Sequence, residues 1–190
     1  VEVFLEKGEI KLISAEHLCA QSVRSDGLKS YKIEIITSDG GKNYKSYLPV
    51  EDGEAYLIDY LHQLNDHLNE KDWTDKWIQH IGDEPTNDLM PKNYTKISNL
   101  VRSICNGVKT GDAFYGENAS EFNDAMDIWI PITALYETQQ EFFNDKKAGG
   151  DDLWLYTAGY PGELYLNRFI DTQLYKSELL SWYCFKNGAN

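Results

Sequence analysis

Trp77-Ile78-Gln79-His80-Ile81-Gly82-Asp83-Glu84-Pro85 is a mostly apolar run of strand length that stops at a glycine, two adjacent carboxylates and a proline. A run of this kind reads as a strand of a covered sheet, and parallel α/β sheets and barrels place their chemistry where strand gives way to loop. The proline forces an exit from the strand and biases Glu84 toward an extended backbone. Adjacent carboxylates repel each other, which favours one holding a proton at neutral pH while the other stays ionised. That division of labour is the one acid–base cleavage of a glycosidic bond requires.

Outward from this stretch the pattern alternates between helix and strand. Upstream, Tyr56, Leu57, Tyr60, Leu61, Leu64 and Leu68 follow helical spacing from about residue 53. Downstream, a helix is expected from about Pro91 through Tyr94, Ile97, Val101 and Ile104, with Gly107 as its stop. A short segment around Ala113-Phe114-Tyr115 follows, then a strand Asp127-Ile128-Trp129-Ile130-Pro131-Ile132 and a helix over 134–147 ending at Gly149-Gly150. A strand Leu153-Trp154-Leu155-Tyr156-Thr157, a loop through Pro161 and a final helix over 172–186 complete the chain. Near-continuous apolar strands between helices imply a parallel sheet covered by helices. About four such strands are too few to close an eight-stranded barrel.

The first fifty residues differ. Glu9-Ile10-Lys11-Leu12-Ile13 and Tyr31-Lys32-Ile33-Glu34-Ile35-Ile36 alternate in the manner of strands, and Asp39-Gly40-Gly41 supplies a hairpin turn before residues 44–50. We therefore expect a β-rich segment over 1–52 and the α/β unit over 53–190. Val1 opens within an ordinary mixed segment, so the chain reads as an excised or processed piece.

Composition narrows the partners. A net charge of −13 without any basic stripe argues against nucleic acid and anionic membranes. No apolar run is long enough to span a bilayer and no signal peptide opens the chain, so compartment is not readable. Cys19, Cys105 and Cys184 are isolated, and His17, His62, His67 and His80 are scattered. Neither set has metal-ligand spacing, so no metal and no cofactor is expected. Thirteen tyrosines and five tryptophans serve mainly as packing, though some can stack on sugar rings.

Taken in order, the motifs resemble a known family. The Asp-Glu-Pro strand end is followed by Asp127-Ile128-Trp129-Ile130-Pro131, Leu153-Trp154-Leu155-Tyr156-Thr157, Tyr160-Pro161, Asn167-Arg168-Phe169-Ile170-Asp171 and Leu179-Leu180-Ser181-Trp182. Over roughly residues 53–190 this is similar to the C-terminal part of the catalytic domain of glycoside hydrolase family 123, the β-N-acetylgalactosaminidases and their bacterial relatives. In such relatives another strand follows the last helix, so truncation before that strand is expected. The resemblance implies a (β/α)8 TIM-type barrel, of which the chain would be the C-terminal portion, with the β-rich segment read from the alternation above as an N-terminal excursion. It also implies retaining, substrate-assisted hydrolysis of a glycan or glycoconjugate through an oxazolinium intermediate. By position, Asp83 would orient the acetamido group and stabilise its positive charge, and Glu84 would be general acid and then base.

Other positions are open to two readings. Tyr156 and Trp129, near strand ends, could wall the acetamido methyl or fill the core. Tyr115, Asn118 and Asn167 could hydrogen-bond sugar hydroxyls or cap turns. His80 reads as a satisfied core histidine. Family 20 glycosidases also set Asp-Glu after a glycine-bearing strand end, but the downstream motifs fit family 123 better. The alternatives from other classes are a non-catalytic glycan-binding module and a structural barrel fragment that associates through an exposed edge.

Overall fold

The computed structural model describes residues 11–18, 34–39, 41–47, 50–86, 90–122, 124–162 and 164–190. Residues 9–10, 31–33, 40 and 48–49 of the expected β-rich segment, and Cys19, lie outside them.

Among the described residues three short elements come first: β1 (Ile13–Ser14), β2 (Glu34–Asp39) and β3 (Lys42–Tyr47). Then follow α1 (Val50–Lys71), β4 (Trp77–Gln79), α2 (Met90–Ile104), β5 (Lys109–Phe114) and β6 (Ile128–Pro131). The chain continues through α3 (Thr133–Thr138), α4 (Gln140–Ala148), β7 (Asp152–Leu153) and α5 (Leu174–Asn187). β2 and β3 form the expected antiparallel hairpin. The other five strands make one sheet in the order β1-β4-β5-β6-β7, and every pairing in it is parallel.

The α/β class is as expected, with two additions. β1 extends the parallel sheet, so the segment before residue 53 contributes to both sheets. β5 runs over six residues where only a short segment around 113–115 was expected. Its Gly111 is required there, because a Cβ at that position would lie 2.5 Å from the Ile128 carbonyl oxygen on β6.

α1 and α2 each bury one stripe. On α2, Met90, Tyr94, Ile97 and Val101 recur at three- and four-residue intervals and are all buried. Pro91 sits in the first turn, where a helix has no use for the missing N–H. On α1, Leu57, Leu61 and Leu68 are buried in the same core. Cys105, just after α2, is buried with its thiol donating to the Leu61 carbonyl at 3.3 Å, and burial pushes its pKa up to about 11.

In the same core, Trp129 meets Phe114, Phe142 and Phe143 edge-on at centroid distances of 5.3–6.5 Å. Each such pair contributes roughly 0.5–1.5 kcal/mol beyond its buried area. The single helix expected over 134–147 is divided at Gln139. There the Thr138 hydroxyl donates to the Leu135 carbonyl, offering the backbone a competing partner. No helix among the described residues is long and apolar enough to cross a membrane.

Candidate active site

β4 ends at Gln79, and the next five residues carry the carboxylate pair over the C-terminal edge of the sheet. What holds this loop is Asp112, near the same end of the neighbouring β5. Its side chain is fully buried. One oxygen, Oδ2, accepts the backbone N–H groups of Ile81 (2.8 Å) and Gly82 (3.2 Å) and the Tyr94 hydroxyl (2.6 Å). The other, Oδ1, accepts from His80 Nδ1 at 2.8 Å and meets His17 Nε2 at 3.2 Å.

Burial alone would raise the Asp112 pKa. The hydrogen bonds from His17, His80 and Tyr94 outweigh it and hold the group below the ordinary carboxylate value. Asp112 is thus a buried anion whose acceptor sites are filled by donors, the condition under which a buried charge is tolerated. Two of those donors are the backbone amides directly preceding Asp83.

The chain beyond is under backbone strain. Glu84 has φ of +45°, in the left-handed region, and not the extended conformation its position before proline suggested. Non-glycine residues there cost on the order of 1 kcal/mol and persist only where their surroundings fix them. Both sides of the turn are fixed: Ile81 and Gly82 by Asp112, and the Glu84 side chain by Tyr156, whose hydroxyl donates to Oε1 at 2.7 Å. Burial, followed by the hydrogen bond and charge of Glu84, pushes the Tyr156 pKa far up. The phenol therefore keeps its proton and acts as a permanent donor to one carboxyl oxygen.

His17 reaches the site from the loop after β1. That loop continues the sheet's pairing: Ala15 N–H donates to the Ile78 carbonyl, Leu18 N–H to the His80 carbonyl, and the buried Gln79 amide to the Glu16 carbonyl. These bonds set the His17 ring over Asp112 with Nε2 3.9 Å from Asp83 Oδ1. The hydrogen bond to Asp112 raises the His17 pKa above 6.5 despite partial burial, and the charges of Asp112, Asp83 and Glu16 add to it. His80 is fixed at its second nitrogen by Ser14 Oγ at 2.6 Å.

Among the described residues, His17, His80 and Asp112 are the one group of three potential metal donors, with ligand atoms within 4.8 Å of one another. Their mutual distances of 2.8 and 3.2 Å are those of N–H···O bonds, so protons account for the cluster. Two open cavities flank the site. One, of about 530 Å³, is lined by Tyr156, Thr157, Arg168 and Leu180; the other, of about 520 Å³, by Ser14, His17, Tyr56 and Trp77. Both volumes are in the range of small-ligand sites.

The residues singled out from sequence divide in two. Asp83, Glu84 and Tyr156 come together, although Tyr156 presents its hydroxyl to Glu84. Tyr115 is half exposed and its phenol acts electrostatically on Tyr156. The Asn118 side-chain oxygen is buried with no hydrogen-bond partner, packed where a Cβ on Gly116 would meet it at 2.8 Å. Trp129 and Asn167 stand apart. Trp129 is buried with its indole N–H on Asp151, and the Asn167 amide donates to the Ala158 and Pro161 carbonyls within its own loop.

Sequence reading missed Asp112, His17 and Tyr94. A carboxylate inside the Thr110-Gly111-Asp112-Ala113-Phe114 segment was the available signal, and it is silent unless that segment is recognised as a strand.

Residues 21–190 match the family model described as Glycoside hydrolase 123, catalytic domain. No curated protein matches the chain.

Proposed function

This chain belongs to glycoside hydrolase family 123, and from that premise we propose that Asp83 and Glu84 are the catalytic pair of a retaining, substrate-assisted β-N-acetylhexosaminidase, with N-acetylgalactosamine the favoured sugar. The observation that carries the reading is the loop after β4, where two carboxylates are held at the C-terminal edge of a parallel sheet by a buried anion on one side and a tyrosine on the other.

In the first step the acetamido carbonyl oxygen bonds to the anomeric carbon while the glycosidic C–O bond breaks. Asp83 accepts the acetamido N–H and offsets the charge of the oxazolinium ring. Glu84 delivers its proton to the departing oxygen. In the second step Glu84 takes a proton from water, whose oxygen attacks the anomeric carbon and reopens the ring, so the β configuration is retained. Tyr156 occupies Oε1 of Glu84 as a donor, which leaves Oε2 as the oxygen that carries the travelling proton. The five parallel strands would then be a portion of a (β/α)8 barrel, with the loops at their C-terminal ends lining the sugar site.

Hydrolysis of aryl N-acetyl-β-galactosaminide and N-acetyl-β-glucosaminide tests the proposal, using this chain alone and within any longer chain that carries it. Glu84→Gln is expected to lower kcat by roughly 10²–10⁴-fold with an activated or unactivated leaving group. Undiminished hydrolysis by that variant would remove Glu84 from the mechanism, and binding of the sugar without turnover by the unaltered protein would favour a glycan-binding module.

A further inference from the structure

Apart from the carboxylate pair, the ends of neighbouring strands bring a serine, a histidine and an aspartate into one line. Ser14 ends β1, His80 follows β4 two residues beyond Ile78, the register partner of Ser14, and Asp112 lies on β5. Ser14 Oγ is 2.6 Å from His80 Nε2, and His80 Nδ1 is 2.8 Å from Asp112 Oδ1. We propose that these residues are the nucleophile, the base and the positioning carboxylate of a second hydrolytic site, one that cleaves short-chain carboxylic esters.

The roles follow from the direction of the bonds and the gradient of burial. Asp112 is a buried anion and can only accept, so the proton of a neutral His80 ring is held on Nδ1. The lone pair of Nε2 then faces the Ser14 hydroxyl, which is the tautomer a base requires. Asp112 is fixed through its other oxygen by the Ile81 and Gly82 amides and the Tyr94 hydroxyl, while His17 shares Oδ1 at 3.2 Å. The Asp112 side chain is fully buried, the His80 side chain is 14% exposed, and Ser14 is exposed at its strand end. An accessible nucleophile, a partly covered base and a buried orienting group are the environments that activate a serine. Ser14 also lines the cavity of about 520 Å³, whose walls include Ile13, Leu57, Tyr60 and Trp77. Those apolar side chains suit the acyl part of an ester, with the polar groups gathered at one end.

In the first half-reaction Ser14 Oγ bonds to the ester carbonyl carbon while its proton passes to His80 Nε2. The tetrahedral adduct expels the alcohol oxygen, which takes that proton and leaves the acyl group on Ser14. Water then adds to the acyl carbon and gives one proton to Nε2. The Ser14 oxygen departs with that proton, and the carboxylic acid is released.

Treatment of the 190-residue chain with diisopropyl fluorophosphate tests the proposal, because an activated serine displaces the fluoride and keeps the phosphoryl group. The expected result is a single adduct mapped to Ser14 by peptide mass spectrometry, together with hydrolysis of 4-nitrophenyl acetate that the adduct abolishes. In His80→Gln, which retains Ser14, labelling is expected to slow by roughly 10²-fold or more. Ser14→Ala, a change at an exposed position, is expected to remove ester hydrolysis with its thermal unfolding unaltered. No adduct at Ser14 overturns the proposal, as does ester hydrolysis undiminished in Ser14→Ala. Equal labelling rates in His80→Gln and the unaltered chain also overturn it, since Ser14 would then be an exposed hydroxyl without a base. Labelling is expected to persist in Glu84→Gln, so the outcome is independent of the glycosidase assay.

Discussion

Tyr156 illustrates how a single side chain changes meaning between sequence and structure. Its place at the end of an apolar strand suggests an aromatic wall, and in the fold its hydroxyl is the group that matters, donating to Glu84 Oε1. Burial and the nearby carboxylates keep that hydroxyl protonated, so it cannot serve as a base. Removing a hydrogen bond to a charged group costs about 1.5–3 kcal/mol. Tyr156→Phe is accordingly expected to lower kcat by roughly ten- to a hundredfold with little change in KM, measured on an aryl N-acetylhexosaminide. An equal fall in affinity with kcat preserved would instead make Tyr156 a sugar contact. At this scale the carboxylate pair was legible because Gly-Asp-Glu-Pro is a local signal. Asp112, His17 and Tyr94 were not, because their meaning lies in contacts across the sheet, such as the His80–Asp112 pair separated by 32 residues.

The elements follow the same logic. α1 and α2 announce themselves through apolar positions spaced for one face, and the structure buries Leu57, Leu61, Tyr94, Ile97 and Val101 on those faces. β5 does not announce itself. Lys109-Thr110-Gly111-Asp112-Ala113-Phe114 carries a glycine, a buried acid and a buried threonine where a strand pattern calls for apolar residues. Each is explained by a neighbour: Gly111 by close approach of Ile128, Thr110 by Asp127 and the Ala125 carbonyl, and Asp112 by the loop after β4. A methyl group at position 111 would meet backbone oxygen, which cannot move without displacing β6. Gly111→Ala is expected to lower stability by about 1–3 kcal/mol, read as a lower urea midpoint at unchanged slope. An unaltered midpoint would mean that β5 and β6 can separate freely at this point.

At the scale of the whole molecule, His17 and Asp112 make stability depend on pH in opposite directions. The His17 pKa lies above 6.5, so its contribution is complete below that value and is lost as pH rises through the folded-state pKa. The Asp112 pKa lies below 3.8, so its contribution is complete above that value and is lost as pH falls through the folded-state pKa. Both contributions are present together between pH 3.8 and 6.5. Thermal unfolding followed over pH 3–9 is expected to show the alkaline decline flattened in His17→Gln relative to the unaltered chain. Identical alkaline slopes would mean that His17 has the same proton affinity folded and unfolded.

The order β1-β4-β5-β6-β7 also has a consequence in time. Apart from the intervening hairpin, each strand of the parallel sheet pairs with the strand made just before it, so the sheet can be laid down in the direction of synthesis. The carboxylate pair is emitted early, at positions 83 and 84, but Asp112 and Tyr156, which fix the loop around it, arrive later. The amides of Ile81 and Gly82 wait 31 and 30 residues for Asp112, and Glu84 waits 72 residues for Tyr156. A nascent chain ending before β5 would thus carry both carboxylates without either of these fixings, which are complete only when the sheet has grown three strands past them, through β7 to Tyr156.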